Sequence, residues 1–206
     1  MLNVLKDYDA DQLFPVYGFG ARIDNTVSHC FAVNGNIFSP ECNGVDGVLQ
    51  AYCNSLKKVS LYGPTNFAEF LDYVNGFTRS QVQEISQNNQ KYTICLILTD
   101  GVISDMSNTI DMIVEGSSLP LSIIIVGIGD ADFDNMEQLD GDVTPLFSRR
   151  LNKYRDRDIV QFVPFSQVMR DPVRLAKEVL AEVPQQLTSY FIQNGIKPNP
   201  PLMQDR

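Results

Sequence analysis

Two almost wholly apolar runs, Tyr92–Thr99 and Leu121–Ile128, constrain this chain more than any other feature. A strand with one wet face alternates apolar and polar residues. These runs do not alternate, so each is predicted to be a strand buried on both faces, as is Ile159–Phe165 further on. Between the first two, Met106, Ile110, Ile113 and Val114 recur at helical spacing, and strand, helix, strand predicts a parallel crossover. The fold class is therefore α/β: a doubly wound, mostly parallel sheet with helices on both faces.

The remaining segments are read around that sheet. Leu2, Val4 and Leu5 look like the end of an amphipathic helix. Leu13–Phe19 reads as a buried strand stopped by Gly18 and Gly20, and Val27–Val33 as an edge strand ended by Asn34-Gly35-Asn36. From Gly44, the stripe Val45, Val48, Leu49, Tyr52, Leu56 and Val59 predicts a helix lying on a sheet; Phe67, Phe70, Leu71, Val74 and Phe77 predict a second. Gln81–Gln90 is polar and suits a loop or a frayed helix end, without a domain boundary. A short helix follows Asp130. A last helix opens on Asp171-Pro172 as N-cap and first-turn proline, and Pro184 should kink or break it.

With 206 residues, 44% of them apolar, the chain can bury one sizeable core, so one domain is expected over residues 1–197, with a proline-rich tail at 198–206. Acidic residues outnumber Lys and Arg by 25 to 16, which disfavours nucleic acid and anionic lipid; the basic residues cluster only between Arg149 and Arg157, where Asp156 and Asp158 dilute them into a solvated loop. No basic region followed by an apolar run marks a signal peptide, and the apolar runs fall short of the roughly 20 residues that span a bilayer. Cys30, Cys42, Cys53 and Cys95 show no C-x-x-C spacing and are expected to be reduced, mostly packed thiols.

Open sheets of this class bind ligands outside the carboxyl ends of their strands, which points to the turns Gly18–Ala21, Thr99–Ser104 and Gly127–Asp132. Thr99-Asp100-Gly101 places a carboxylate at that edge, where a hard cation could use it or where it could serve as an ordinary turn. Gly63-Pro64-Thr65-Asn66 sits between two helices, its Thr hydroxyl available to cap a helix or to coordinate an ion.

Other patterns fail on chemistry. Asp130, Asp132 and Asp134 imitate the start of a calcium loop, but Asn135 stands where the turn Gly belongs and Gly141 where the bidentate Glu belongs. Gly18-Phe19-Gly20 and Gly127-Ile128-Gly129 lack the third glycine of a dinucleotide site. A single histidine, His29, gives a catalytic triad little material. Asp105-Met106-Ser107-Asn108-Thr109 follows the Asp100 turn at a helix start and reads as capping.

The α/β order and these two loops resemble the von Willebrand A fold. The segments VYGFGA, VSHCFAVNGN, PECNGVDGVLQAY, SLYGPTNFA, ILTDGVISDM, LPLSIIIVGIGDADF and RDIVQFVPF resemble its copine branch from Tyr8 to Pro198. The resemblance implies a metal-ion-dependent adhesion site with Thr65 and Asp100 as ligands, and Gly63, Asn66 and Gly101 as partner contacts. It also implies a first, central strand ending in Asp-x-Ser-x-Ser, between Leu13–Phe19 and Tyr92–Thr99. Nothing upstream of Tyr17 supplies that motif, so the central strand is expected to be missing and the site incomplete, binding Mg²⁺ or Mn²⁺ weakly. Sequence further upstream, a second copy of the chain, or closure of two half-sheets would compensate.

The expected function is non-catalytic: recognition of cytosolic proteins whose Asp or Glu completes the cation's shell. Copines carry two N-terminal modules that bind Ca²⁺ and phospholipid, so the resemblance implies a cytoplasmic protein that reaches membranes peripherally through modules absent here. A copine-like domain of a RING-type ubiquitin ligase, or a metal-free scaffold, are the alternative readings; the chain has no Cys/His cluster of RING spacing.

Overall fold

The computed structural model describes residues 2–141, 144–169 and 171–200. A short helix α1 (Leu2–Leu5) leads into a series of small antiparallel pairs. β1 (Leu13–Pro15) pairs with β6 (Glu41–Asn43), and β2 (Tyr17–Gly18) pairs with β5 (Phe31–Ala32). β3 (Ala21–Ile23) pairs with β4 (Thr26–Ser28) and, on its other side, with β7 (Ser60–Leu61). The β3–β4 turn is Asp24-Asn25, both at positive φ (46° and 67°), the geometry a two-residue hairpin needs and one that Asn and Asp tolerate.

This part departs from the expectation. Leu13–Phe19 is not one buried strand: it splits at Val16, its pairs are antiparallel, and Leu13 is 44% exposed. Val27–Val33 likewise divides into β4 and β5. Helix α2 (Gly44–Ser55) forms where the apolar period places it, but its stripe is largely uncovered, with Leu49 55% and Tyr52 54% exposed. Periodicity identifies the face a helix could bury. It does not supply the layer that buries it.

The central part follows the expectation closely. Helix α3 (Ala68–Val82) precedes β8 (Thr93–Thr99), α4 (Met106–Gly116), β9 (Leu121–Gly127) and α5 (Asp134–Asp140). The hairpin β10 (Phe147–Ser148) and β11 (Lys153–Tyr154) then leads to β12 (Val160–Pro164), α6 (Pro172–Val179) and α7 (Val183–Gln193). β8, β9 and β12 form a parallel sheet in the order β12-β9-β8, with Thr99 and Pro164 both level with Gly127.

β9 is buried at every position, and its alternating side chains build two cores. Ile123 and Ile125 pack on one face against Phe67, Phe70 and Leu71 at the start of α3, Ile113 and Val114 of α4, and Met136 and Leu139 of α5. Ile124 and Val126 pack on the other against Val163, Val168, Val179 and Val183. Each such side chain gains roughly 1.5–3 kcal/mol by leaving water, which is why a strand without polar alternation settles between two helical layers.

Close contacts fix the helices on that sheet. Asn75 of α3, almost fully buried, donates Nδ2 to Met112 O of α4 at 2.9 Å. A Cβ added at Gly116 would come within 2.5 Å of Asn75 Oδ1. Gly116→Ala is therefore expected to lower stability by about 1–3 kcal/mol despite alanine's better helix propensity, measured by urea unfolding; unchanged stability would mean that α3 and α4 have room to separate.

The basic segment expected to be solvated is exposed at Arg149 and Arg150, but several of its side chains are also structural. Arg150 Nε donates to the buried Asp111 carboxylate at 3.2 Å while Ser148 Oγ donates to its other oxygen at 2.5 Å. Arg155 bonds Asp158 and the carbonyls of Asp140 and Gly141. Arg157 is buried, donating to Gln186 O and Leu119 O and lying 5.3 Å from the Tyr190 ring. Asp171 caps α6 as expected, accepting from Val173 N and Arg174 N. Pro184 lies in the first turn of α7, so the expected break falls between two helices. Gln87 and Gln90 of the polar segment bind Lys197, tying residues 197–199 to the loop after α3; residues 201–206 of the expected tail lie outside the described residues. No helix among the described residues is long and apolar enough to cross a membrane.

Candidate functional site

Because β8, β9 and β12 are parallel, their carboxyl ends share one rim. Ile128 N donates to Thr99 O at 2.8 Å there, so the turns after β8 and β9 leave the sheet side by side. Thr99 is buried, and its Oγ1 has no hydrogen-bond partner among the described residues. The chain then emerges, leaving Asp100 exposed.

The second loop arrives from the N-terminal part. Tyr62 N donates to Gly20 O at 2.9 Å, bringing the Gly18–Ala21 turn against the segment that carries Gly63, Thr65 and Asn66. That segment is sewn to the β8 turn by three hydrogen bonds: Ser104 N to Thr65 O at 2.8 Å, and Phe67 N and Ala68 N to the two carboxylate oxygens of Asp105, each at 2.9 Å. Asp105 also accepts from Thr109 Oγ1 at 3.1 Å. The expected capping role is thus real but aimed elsewhere: its side chain holds the first amides of α3, 37–38 residues back in the chain. No local spacing signals such a cap.

The consequence is that the two singled-out loops meet. Thr65 is half-buried, and a Cβ built on Gly101 would lie 4.0 Å from Thr65 Oγ1, so the threonine hydroxyl faces the backbone that follows Asp100. Gly63 is exposed at the outer end of the segment. Asn66 Nδ2 lies 3.4 Å from Nε2 of the buried His29, whose Nδ1 has no partner among the described residues. Sequence reasoning placed His29 on an edge strand and missed this contact, which supports the loop from beneath. Neighbouring Cys30 is a poor nucleophile, since burial and then the nearby Glu69 carboxylate push its thiol up to about 11. The free cysteines form no disulfide.

The donor set suits a hard divalent cation in kind but not in number. Thr65 Oγ1 and the Asp100 carboxylate are oxygen donors of the type magnesium and manganese prefer. Two are fewer than the six that magnesium requires, and no group of three or more His, Cys, Asp or Glu side chains able to hold a metal occurs among the described residues. The arrangement can contribute a charge and a hydroxyl to a site that something else must complete.

The copine family model matches residues 1–199, nearly the whole chain. The match covers the antiparallel N-terminal part, the parallel sheet and every helix described above. The chain belongs to the copine family.

Proposed function

We propose that this chain is a non-catalytic protein-recognition module of von Willebrand A type, in which Thr65 and Asp100 contribute to a divalent-cation site that a partner's Asp or Glu completes. The observation that carries this reading is the meeting of the Thr65 loop with the Asp100-Gly101 turn outside the carboxyl end of β8. A bound cation offers the partner an exchangeable coordination position. Asp100 supplies negative charge to that position, and Thr65 supplies a lone pair from a hydroxyl fixed by its neighbours' backbone bonds. Gly101 lacks a side chain and so leaves the approach open, while Gly63 and Asn66 would meet the partner through the loop backbone beside it, the Asn66 side chain being turned to His29. Mg²⁺ and Mn²⁺ fit the donors; Ca²⁺-dependent phospholipid binding, and with it peripheral attachment of a cytoplasmic protein to membranes, would belong to other copine modules.

Melting curves in Mg²⁺, Mn²⁺ and EDTA test the site. A cation at ten times its dissociation constant stabilises the folded chain by about 1.4 kcal/mol, or roughly 3–5 °C at this size. That shift is expected for the unaltered chain and is expected to vanish in Thr65→Ala and Asp100→Ala. Identical curves with metal and with EDTA would leave the module a metal-free scaffold.

A further inference from the structure

We propose that the groove between α4 and the segment leading into β10 is a docking site for a peptide segment of a partner protein, one that carries an Asp or Glu close to an aliphatic side chain. This goes beyond the recognition reading and does not rest on a bound cation.

The groove has a volume of about 550 Å³, in the range of sites that bury a small ligand or a short piece of chain. One wall is the first turns of α4, with Met106, Ser107 and Ile110 on one face. The other is the segment from Thr144 to Arg149. Met106 and Ile110 are half-buried, Leu146 is buried, and Phe147 is exposed with its ring 4.9 Å from that of Tyr154. The lining between the walls is therefore apolar.

Both walls are fixed in place. Ser148 Oγ donates to Asp111 of α4 and accepts from Leu151 N at 2.9 Å, while Leu146 O accepts from Arg155 N at 3.0 Å. Walls already ordered lose little freedom when a chain binds between them. Asp111 also lines the groove, but Ser148 and Arg150 already occupy its carboxylate oxygens.

The charge left over is positive. Along the basic segment Arg150, Lys153 and Arg155 make ion pairs, and Arg157 is buried against carbonyls. Arg149 lines the groove, is exposed, and makes no hydrogen bond or ion pair among the described residues. A chain of net charge −9 thus presents here an unpaired guanidinium beside Met106, Ile110 and Phe147. Met, aromatic and Arg side chains are those that protein interfaces favour. A carboxylate can meet the guanidinium through two parallel hydrogen bonds, and a neighbouring aliphatic side chain can cover Met106 and Ile110.

Selection of phage-displayed random peptides on the full chain in EDTA, followed by titration of a selected peptide against the chain's amide signals, tests the site. The expected result is enrichment of peptides with Asp or Glu close to Leu, Ile or Val, and signal shifts centred on Met106–Ile110 and Thr144–Arg149. Arg149→Glu, made at an exposed side chain without a partner, should keep the fold by circular dichroism and weaken binding at least about tenfold. Replacing the peptide's acid by lysine should restore binding to that variant. Ser107→Trp, which fills the groove from the exposed side of α4, should weaken binding of the original peptide as well. Four results would overturn the proposal: no enrichment, selected peptides without an acid, shifts centred elsewhere, or binding indifferent to Arg149→Glu. If that variant does not fold, changing the peptide's acid to its amide decides against the unaltered chain, and equal binding overturns the proposal. Because EDTA is present throughout, failure here leaves the cation reading standing.

Discussion

Replacing Asp105 by Ala is expected to destabilise the chain by about 2–4 kcal/mol and to lower its melting temperature by roughly 5–12 °C, a large effect for one half-buried polar residue. Its two carboxylate oxygens accept from Phe67 N and Ala68 N, and Thr109 Oγ1 donates to one of them as well. Phe67 and Thr109 are fully buried, so removing the carboxylate strands donors that water reaches poorly. The cost of an unmade bond exceeds the gain from a made one, so the losses at α3 and α4 reinforce each other. Asp105→Asn keeps one acceptor and should recover about half the loss. Because the same bonds hold the Thr65 loop against the Asp100 turn, any cation response should fall in both variants. An Asp105→Ala protein with unchanged thermal unfolding would show that the loops are joined by other means.

The second large effect is expected at Ile124. It is fully buried at the middle of the central strand, packed with Val126, Val163, Val168, Val179 and Val183 on the α6–α7 side. Ile124→Ala removes apolar contacts and leaves a cavity between strand and helices that a parallel sheet cannot easily close, costing about 3–5 kcal/mol in urea unfolding. Leu49→Ala, in the uncovered stripe of α2, is expected to change stability by no more than about 0.5 kcal/mol. Equal effects at the two positions would contradict the burial described for both.

That contrast marks how far the sequence could be read. β8, β9 and β12 were legible because two-sided burial removes polar alternation, a signal that survives without knowing the neighbours. The helix at Asp171 was legible because its cap lies within three residues. The stripe of α2 was legible as a helix but not as an exposed one. The N-terminal strands are two or three residues long, too short for a period of two to declare itself, and Leu13–Phe19 was read as one strand for that reason. Arg157 reads as part of a basic surface run until its bonds to two distant carbonyls are seen.

The candidate site divides the same way. Thr65, Asp100 and Gly101 were singled out from loop position and resemblance, and the fold brings their loops together. The agents of that contact, Asp105 and the Thr65–Ser104 backbone bond, join residues almost 40 positions apart and leave no local trace.

Titration of the chain with Mn²⁺, followed by paramagnetic broadening of its amide signals, tests the central claim most directly because broadening reports even a weak site. The account predicts that amides of Thr65, Asn66, Asp100 and Gly101 broaden first and that Asp100→Ala abolishes the effect. Broadening centred instead on Asp130–Asp134, or none at all, would contradict it.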